Sequence, residues 1–217
     1  CIRDRFRQGA TVVEETLESR AATPLPAAVV EHIYPTIDTL PENQLKFYIH
    51  FSRAMSQGES YAHIRLVEES DENGEATGRK IADPFLRLGE ELRTPDGTRF
   101  TLLFDPGRVK RDLKPRADVG PPIVEGRRYS LHIDASWKDA DGRPLAESFR
   151  KRFRVTAPDY VIPDLESWTV LPPHAGSRDA FRVLLREPHD HALLHRLVWI
   201  ENAAGTELGG RVEVVDL

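Results

Sequence analysis

Residues 45–55 read Leu-Lys-Phe-Tyr-Ile-His-Phe-Ser-Arg-Ala-Met. Leu45, Phe47, Ile49 and Phe51 alternate with Lys46, Tyr48 and His50. A period of two sends the first set to one side of a strand and the second set to the other. The stretch predicts a β-strand with one buried face.

The pattern recurs downstream. Ile64 and Leu66 are flanked by His63 and Arg65; Phe100, Leu102 and Phe104 share a face, as do Tyr129, Leu131 and Ile133. Phe149, Phe153 and Val155 lie on one side of a further strand, with Arg150, Arg152 and Arg154 on the other. Phe85, Leu86 and Leu88 form a shorter apolar segment. Turn chemistry separates the runs at Asp71-Glu72-Asn73-Gly74, Pro95-Asp96-Gly97 and Asp139-Ala140-Asp141-Gly142, and Asp105-Pro106-Gly107 stops a strand. Residues 108–127 open with a basic run from Arg108 to Arg116 and contain Gly120-Pro121-Pro122, which predicts a long surface loop.

Composition agrees with many short strands. Of 217 residues, 14 are Gly and 16 are Pro, 40% are hydrophobic and 30% are charged. The net charge is −5, so electrostatics provide no case for nucleic acid. Cys1 is the single cysteine, which excludes an internal disulfide or a cysteine zinc cluster. No apolar run approaches the ~18 residues of a spanning helix. A cysteine in first position reads as the acceptor of a bacterial lipoprotein anchor, with each buried CH₂ contributing about 0.8 kcal/mol. Residues 1–26 read as a tether ending in Ala-Ala-Thr-Pro-Leu-Pro.

A second unit is expected from residue 158. Phe181, Val183 and Leu185 alternate with Arg182, Leu184 and Arg186, and strands are expected at Val198-Trp199-Ile200 and around Val212 and Val214. His191 to Leu197 reads as a short helical or irregular stretch. A sandwich of about 100 residues and seven strands does not fit into 158–217, so this unit reads as incomplete.

The motifs resemble bacterial Ig-like domains of the S-layer type. Ile33-Tyr34-Pro35, the strand from Leu45, and Phe51-Ser52-Arg53-Ala54-Met55 match the opening of such domains; Tyr129 to Ile133, Asp139 to Gly142 and Phe153 to Val155 match their close. The resemblance covers residues 30–156; Pro172, Phe181 to Leu185, Leu193-Leu194, Val198 and Gly205 resemble a diverged second copy in which Leu185-Arg186-Glu187-Pro188 replaces the Phe-Ser-x-x-Met motif. It implies an all-β fold: an Ig-like β-sandwich at 27–157, followed by a second, diverged and incomplete Ig-like unit at 158–217. It also implies an extracytoplasmic spacing or adhesive role without catalytic residues, with Tyr129 as the corner tyrosine and Met55 as a core plug.

Other chemistry is sparse. His189, Asp190, His191 and His195 come nearest to a metal site, since His191 and His195 would share a helix face; without a third distant ligand no metal is assigned. Asp190 reads equally as a helix N-cap. Asp139 and Asp141 lack the closing acid of a calcium loop. No nucleophile elbow, phosphate loop or dinucleotide fingerprint is present, so no enzyme activity and no cofactor is expected. The expected function is a non-catalytic module of the bacterial envelope, periplasmic or extracellular, lipid-anchored through Cys1 and accessory to other protein subunits of a membrane complex. Arg150, Arg152 and Arg154 are the candidate docking stripe, and Trp137 is a candidate contact. The alternatives are a carbohydrate-binding or adhesin-like domain using the edge near Trp137, and a metal enzyme using His189, His191 and His195. Trp168 and Trp199 are expected to pack in a core or between units.

Overall fold

The computed structural model describes residues 26–110, 114–162, 164–186 and 189–213. In chain order its elements are β1 (Val30–Tyr34), β2 (Thr39–Pro41), β3 (Lys46–Phe51), β4 (Ile64–Ser70), β5 (Ala76–Lys80), β6 (Arg99–Leu103), α1 (Pro106–Val109), α2 (Lys114–Val119), β7 (Arg128–Ile133), β8 (Phe149–Thr156), β9 (Thr169–Leu171), β10 (Arg182–Leu184) and α3 (His191–Leu197). The protein is mostly β. Cys1 lies outside the described residues.

Two sheets carry residues 30–156. One has the order β1-β3-β6, the other β2-β8-β7-β4-β5. Neighbours are antiparallel except β2 and β8, which run parallel. Alternation decides what each sheet presents to the other. Phe47, Ile49 and Phe51 of β3 turn inward with Phe100 and Leu102 of β6, and meet Leu66, Tyr129, Leu131, Phe153 and Val155 of the larger sheet in one buried cluster. The Phe47 ring bridges the layers, 5.6 Å from Phe104 and 5.7 Å from Phe153. Burying a side chain of this size contributes about 1.5–3 kcal/mol, so this cluster dominates the stability. Met55 is buried within it. The Tyr129 hydroxyl accepts from the Val124 backbone N–H at 3.1 Å, the backbone tie expected of a corner tyrosine.

Three strands carry no legible alternation. β1 bulges between Val30 and His32, β2 has three residues, and all of β5 is exposed. Their positions come from backbone pairing with stronger neighbours. The turn at Gly74, with φ of 87°, brings β5 back onto β4; such a positive φ suits glycine.

The described residues of 108–127 are not wholly the surface loop that their charge predicts, since several enter the core. Asp105 caps α1, accepting from the Gly107 N–H at 2.8 Å. Arg108 is buried, and its guanidinium donates to the carbonyls of Gly120 (2.9 Å) and Asp83 (3.2 Å). Val109 and Ile123 join the core. A guanidinium offers five donors, so converging backbone carbonyls make it a tie inside the fold.

After Thr156 the structure is sparser. β9 and β10 form a two-stranded antiparallel sheet. The strand expected at 198–200 does not form: the Glu201–Glu207 pair is an isolated bridge. Val212 lies outside any strand, and Val214 lies outside the described residues.

Candidate functional site

Alternation along β8 sends Phe153 and Val155 into the core and Arg150, Arg152 and Arg154 out to solvent. Lys151 turns inward, and its ammonium donates to the carbonyls of Thr36 (2.8 Å) and Ile37 (3.0 Å). Register brings further cations beside the arginine row. Arg128 of β7 stands opposite Arg154, His132 opposite Arg150, and Arg65 of β4 opposite His132. Lys80 of β5 stands opposite Val67 at the far edge. The acids among them are Glu69 and Asp134. Glu69 pairs with Arg150 and reaches Arg152 at 3.6 Å; Asp134 reaches Arg65 at 3.5 Å. Among the described residues, Arg128 and Arg154 have no ion-pair partner. Burial, then the charges of Arg65 and Arg152, hold the His132 pKa below its ordinary value. The face is thus strongly cationic on a chain whose net charge is −5.

The opposite layer carries a second constellation. Lys46, Tyr48 and His50 occupy the outer side of β3, and α3 packs against them. Asp190 organises the contact. It caps α3 by accepting from the Leu193 N–H at 2.9 Å, pairs with Lys46 at 2.6 Å, and accepts from the Tyr48 hydroxyl at 2.9 Å. Burial would raise its pKa, but Lys46 and the hydrogen bonds outweigh that and lower it. His191 stacks on Tyr34 with ring centroids 3.6 Å apart, and its ring meets those of His50 edge-on at 5.5 Å and His195 at 4.7 Å. The Arg99 guanidinium lies 5.2 Å from the Tyr48 ring centroid.

The three histidines proposed for metal therefore separate. His191 and His195 are neighbours, as their spacing of four predicts on a helix, whereas His189 lies against Trp168 at 5.4 Å. Among the described residues no group of three or more His, Cys, Asp or Glu side chains could hold a metal ion. The partners that matter, Tyr34, Lys46, Tyr48 and His50, stand about 140 residues upstream. Their outward places on β1 and β3 were the available signal.

Trp137 is a correction. Its side chain is fully buried, packed edge-on against Phe51 (5.0 Å) and Phe100 (5.7 Å), with Arg93 5.7 Å from its ring. An indole enclosed in this way has no face left for a sugar or a partner. Trp199, expected to be packed, is instead 59% exposed. The Asp139 turn forms, with the Asp139 carboxylate accepting from the N–H groups of Asp141 (3.0 Å) and Arg143 (2.9 Å).

Apolar exposure is concentrated after Thr156. Among the described residues 16 large hydrophobics are exposed, 12 of them between Tyr160 and Leu208, where Leu194 alone is a buried hydrophobic.

No family model matches the chain, and no curated protein matches it. Solved structures similar to it include two of surface-layer proteins. The S-layer protein rSbsC(31-844) shares 15% identity with a TM-score of 0.38, over 84% of this chain and 19% of that one. Domains 1–6 of surface layer protein SbsC share 14% identity with a TM-score of 0.36, over 87% of this chain and 20% of that one. The chain spans about a fifth of the length of these structures.

Proposed function

We propose that this protein is a non-catalytic binding module of the bacterial cell envelope, Ig-like in architecture and held at the membrane by a lipid on Cys1. It acts as an accessory subunit, docking through residues 158–213 onto another protein of a membrane complex. The observation that carries this is the uncovered apolar surface of that segment. Ile162 is 86% exposed and Trp199 59%, beside a two-stranded sheet with open edges. A two-stranded sheet is marginal by itself, and an exposed apolar patch of this kind marks an association surface. A partner that binds the ordered form stabilises it by mass action. The partner that fits is a protein offering apolar side chains and a strand edge.

A photo-crosslinking residue placed at Trp199 or Leu171 in the membrane-bound protein tests this. One discrete, identifiable protein adduct is expected, abolished by Ile162→Asp and absent when the crosslinker sits at Glu72. Adducts to the chain itself alone, or none, would overturn the reading. Intact mass of the membrane-extracted protein tests the lipid: a mass equal to the bare chain ends that part of it.

A further inference from the structure

We propose that the outer face of the five-stranded sheet binds an anionic glycan, a linear polysaccharide carrying phosphate or carboxylate groups, laid along β8 across Arg128, Arg150, Arg152 and Arg154. The site is separate from residues 158–213 and does not rest on their docking.

Charge placement is the first support. Arg128 and Arg154 stand directly opposite each other in register with no acid between them. Like charges in that position destabilise a sheet, and an anion seated between them reverses the sign of the interaction. Alternate residues along β8 are about 7 Å apart and neighbouring strands about 4.8 Å apart, so the guanidiniums form a ladder of regularly spaced anion sites. The sheet's twist turns that ladder into a winding track suited to a flexible chain more than to a flat bilayer.

Hydrogen-bonding capacity is the second. Arginine has five donors and no acceptor, and its planar fork fits phosphate and carboxylate in two-point contacts. Around the row, Ser130 is buried and Glu69 is already engaged by Arg150. The surface is therefore rich in donors and poor in acceptors. The carboxylate or phosphate groups of a charged glycan bring acceptors that match it.

What the face lacks narrows the ligand further. Its apolar side chains are Val67 and, at the β2 edge, Pro41, both half-buried. A folded protein partner needs an aromatic or aliphatic anchor at the centre of the contact. Single-stranded nucleic acid needs aromatic platforms for its bases, and the paired strands place no Phe, Tyr or Trp on this face.

The test measures binding of the full chain to fluorescently labelled polygalacturonate and to a phosphodiester-bearing mannan, with neutral dextran and poly-L-glutamate as comparators, between 50 and 300 mM salt. Binding to at least one charged glycan is expected, falling steeply with salt, with no binding to dextran. The better of the two charged glycans identifies the anionic group. R152Q combined with R154Q should weaken binding about tenfold or more while leaving the circular dichroism spectrum unchanged. E69Q should tighten it several-fold, because it releases Arg150 and Arg152 from their internal acid. Failure to bind either charged glycan, indifference to R152Q/R154Q, weaker binding by E69Q, or equal affinity for poly-L-glutamate would each overturn the proposal, the last in favour of an acidic protein segment.

Discussion

Glu68 lies on the inner side of β4 with a side chain 2% exposed. Arg79 approaches it at 2.8 Å, Arg127 at 3.1 Å, and the Tyr129 hydroxyl at 3.4 Å. Burial alone would push the carboxyl pKa up; the two guanidiniums outweigh it and hold it below the ordinary value. Burial in turn pushes the Tyr129 hydroxyl up to about 12, so it stays protonated and can donate to the carboxylate. Removing one member of such a cluster leaves the others uncompensated. Glu68→Gln keeps the shape and loses the charge, and should destabilise the protein by about 2 kcal/mol, read from the urea midpoint at pH 7. The pH dependence has a definite sign. A depressed carboxyl pKa contributes stability that is present above the ordinary value of 4.5 and is lost as pH falls through the folded one. Wild type should lose more stability than Glu68→Gln over that range, the difference being the share of Glu68.

At the scale of elements, α3 has seven residues, too few to persist as a helix alone. The outer side of β3 holds it in place. The groups that face one another there are His32 and Tyr34 from β1, Lys46, Tyr48 and His50 from β3, Arg99 from β6, and Asp190, His191 and His195 from the helix. His50 Nε2 and His191 Nδ1 are buried without a hydrogen-bond partner among the described residues. Burial first, then His191, Arg99, His32 and His195, lower the His50 pKa from 6.5 to about 4. The docked state therefore refuses a proton that the undocked state accepts. Docking is at full strength above pH 6.5 and weakens as pH falls from 6.5 toward 4. Hydrogen exchange should detect this: protection of the Leu193 and Leu194 amides, corrected for intrinsic rates, should drop about tenfold between pH 7 and pH 5. His50→Gln should reduce the drop, and His191, whose pKa burial also lowers, carries a further part of it. Protection that is flat with pH in wild type would refute the histidine account.

At the scale of the whole molecule, the described residues differ in how much apolar surface they bury. The sheets of residues 30–156 share one continuous core, whereas the segment after them rests on the outside of that core through α3 and through Asp159, whose backbone N–H donates to Asn43 at 3.0 Å. Local opening follows the density of buried apolar contacts. Brief proteolysis of the isolated chain should cut within 158–213 at least about tenfold faster than within the sandwich, leaving a stable fragment that ends near Thr156. Equal cleavage rates throughout would mean that the two parts unfold as one.

Six strands, β3, β4, β6, β7, β8 and β10, are legible in alternation, because a period of two is a local property that each strand carries in full. The turns at Asn73-Gly74 and Asp96-Gly97 are legible for the same reason, since backbone geometry there depends on one or two residues. β1, β2 and β5 are not, because partners distant in the chain hold them. Trp137 reads as an exposed aromatic beside a turn, and only the folding of that turn against Phe51 and Phe100 encloses it. The arginines of β8 are visible as a row in the sequence, but Arg128 and Arg65 join them through register, a relation between strands that no single strand encodes. The same holds for α3: its cap at Asp190 is written in the local sequence, while Lys46, Tyr48 and His50 reach it only when the chain folds back on itself.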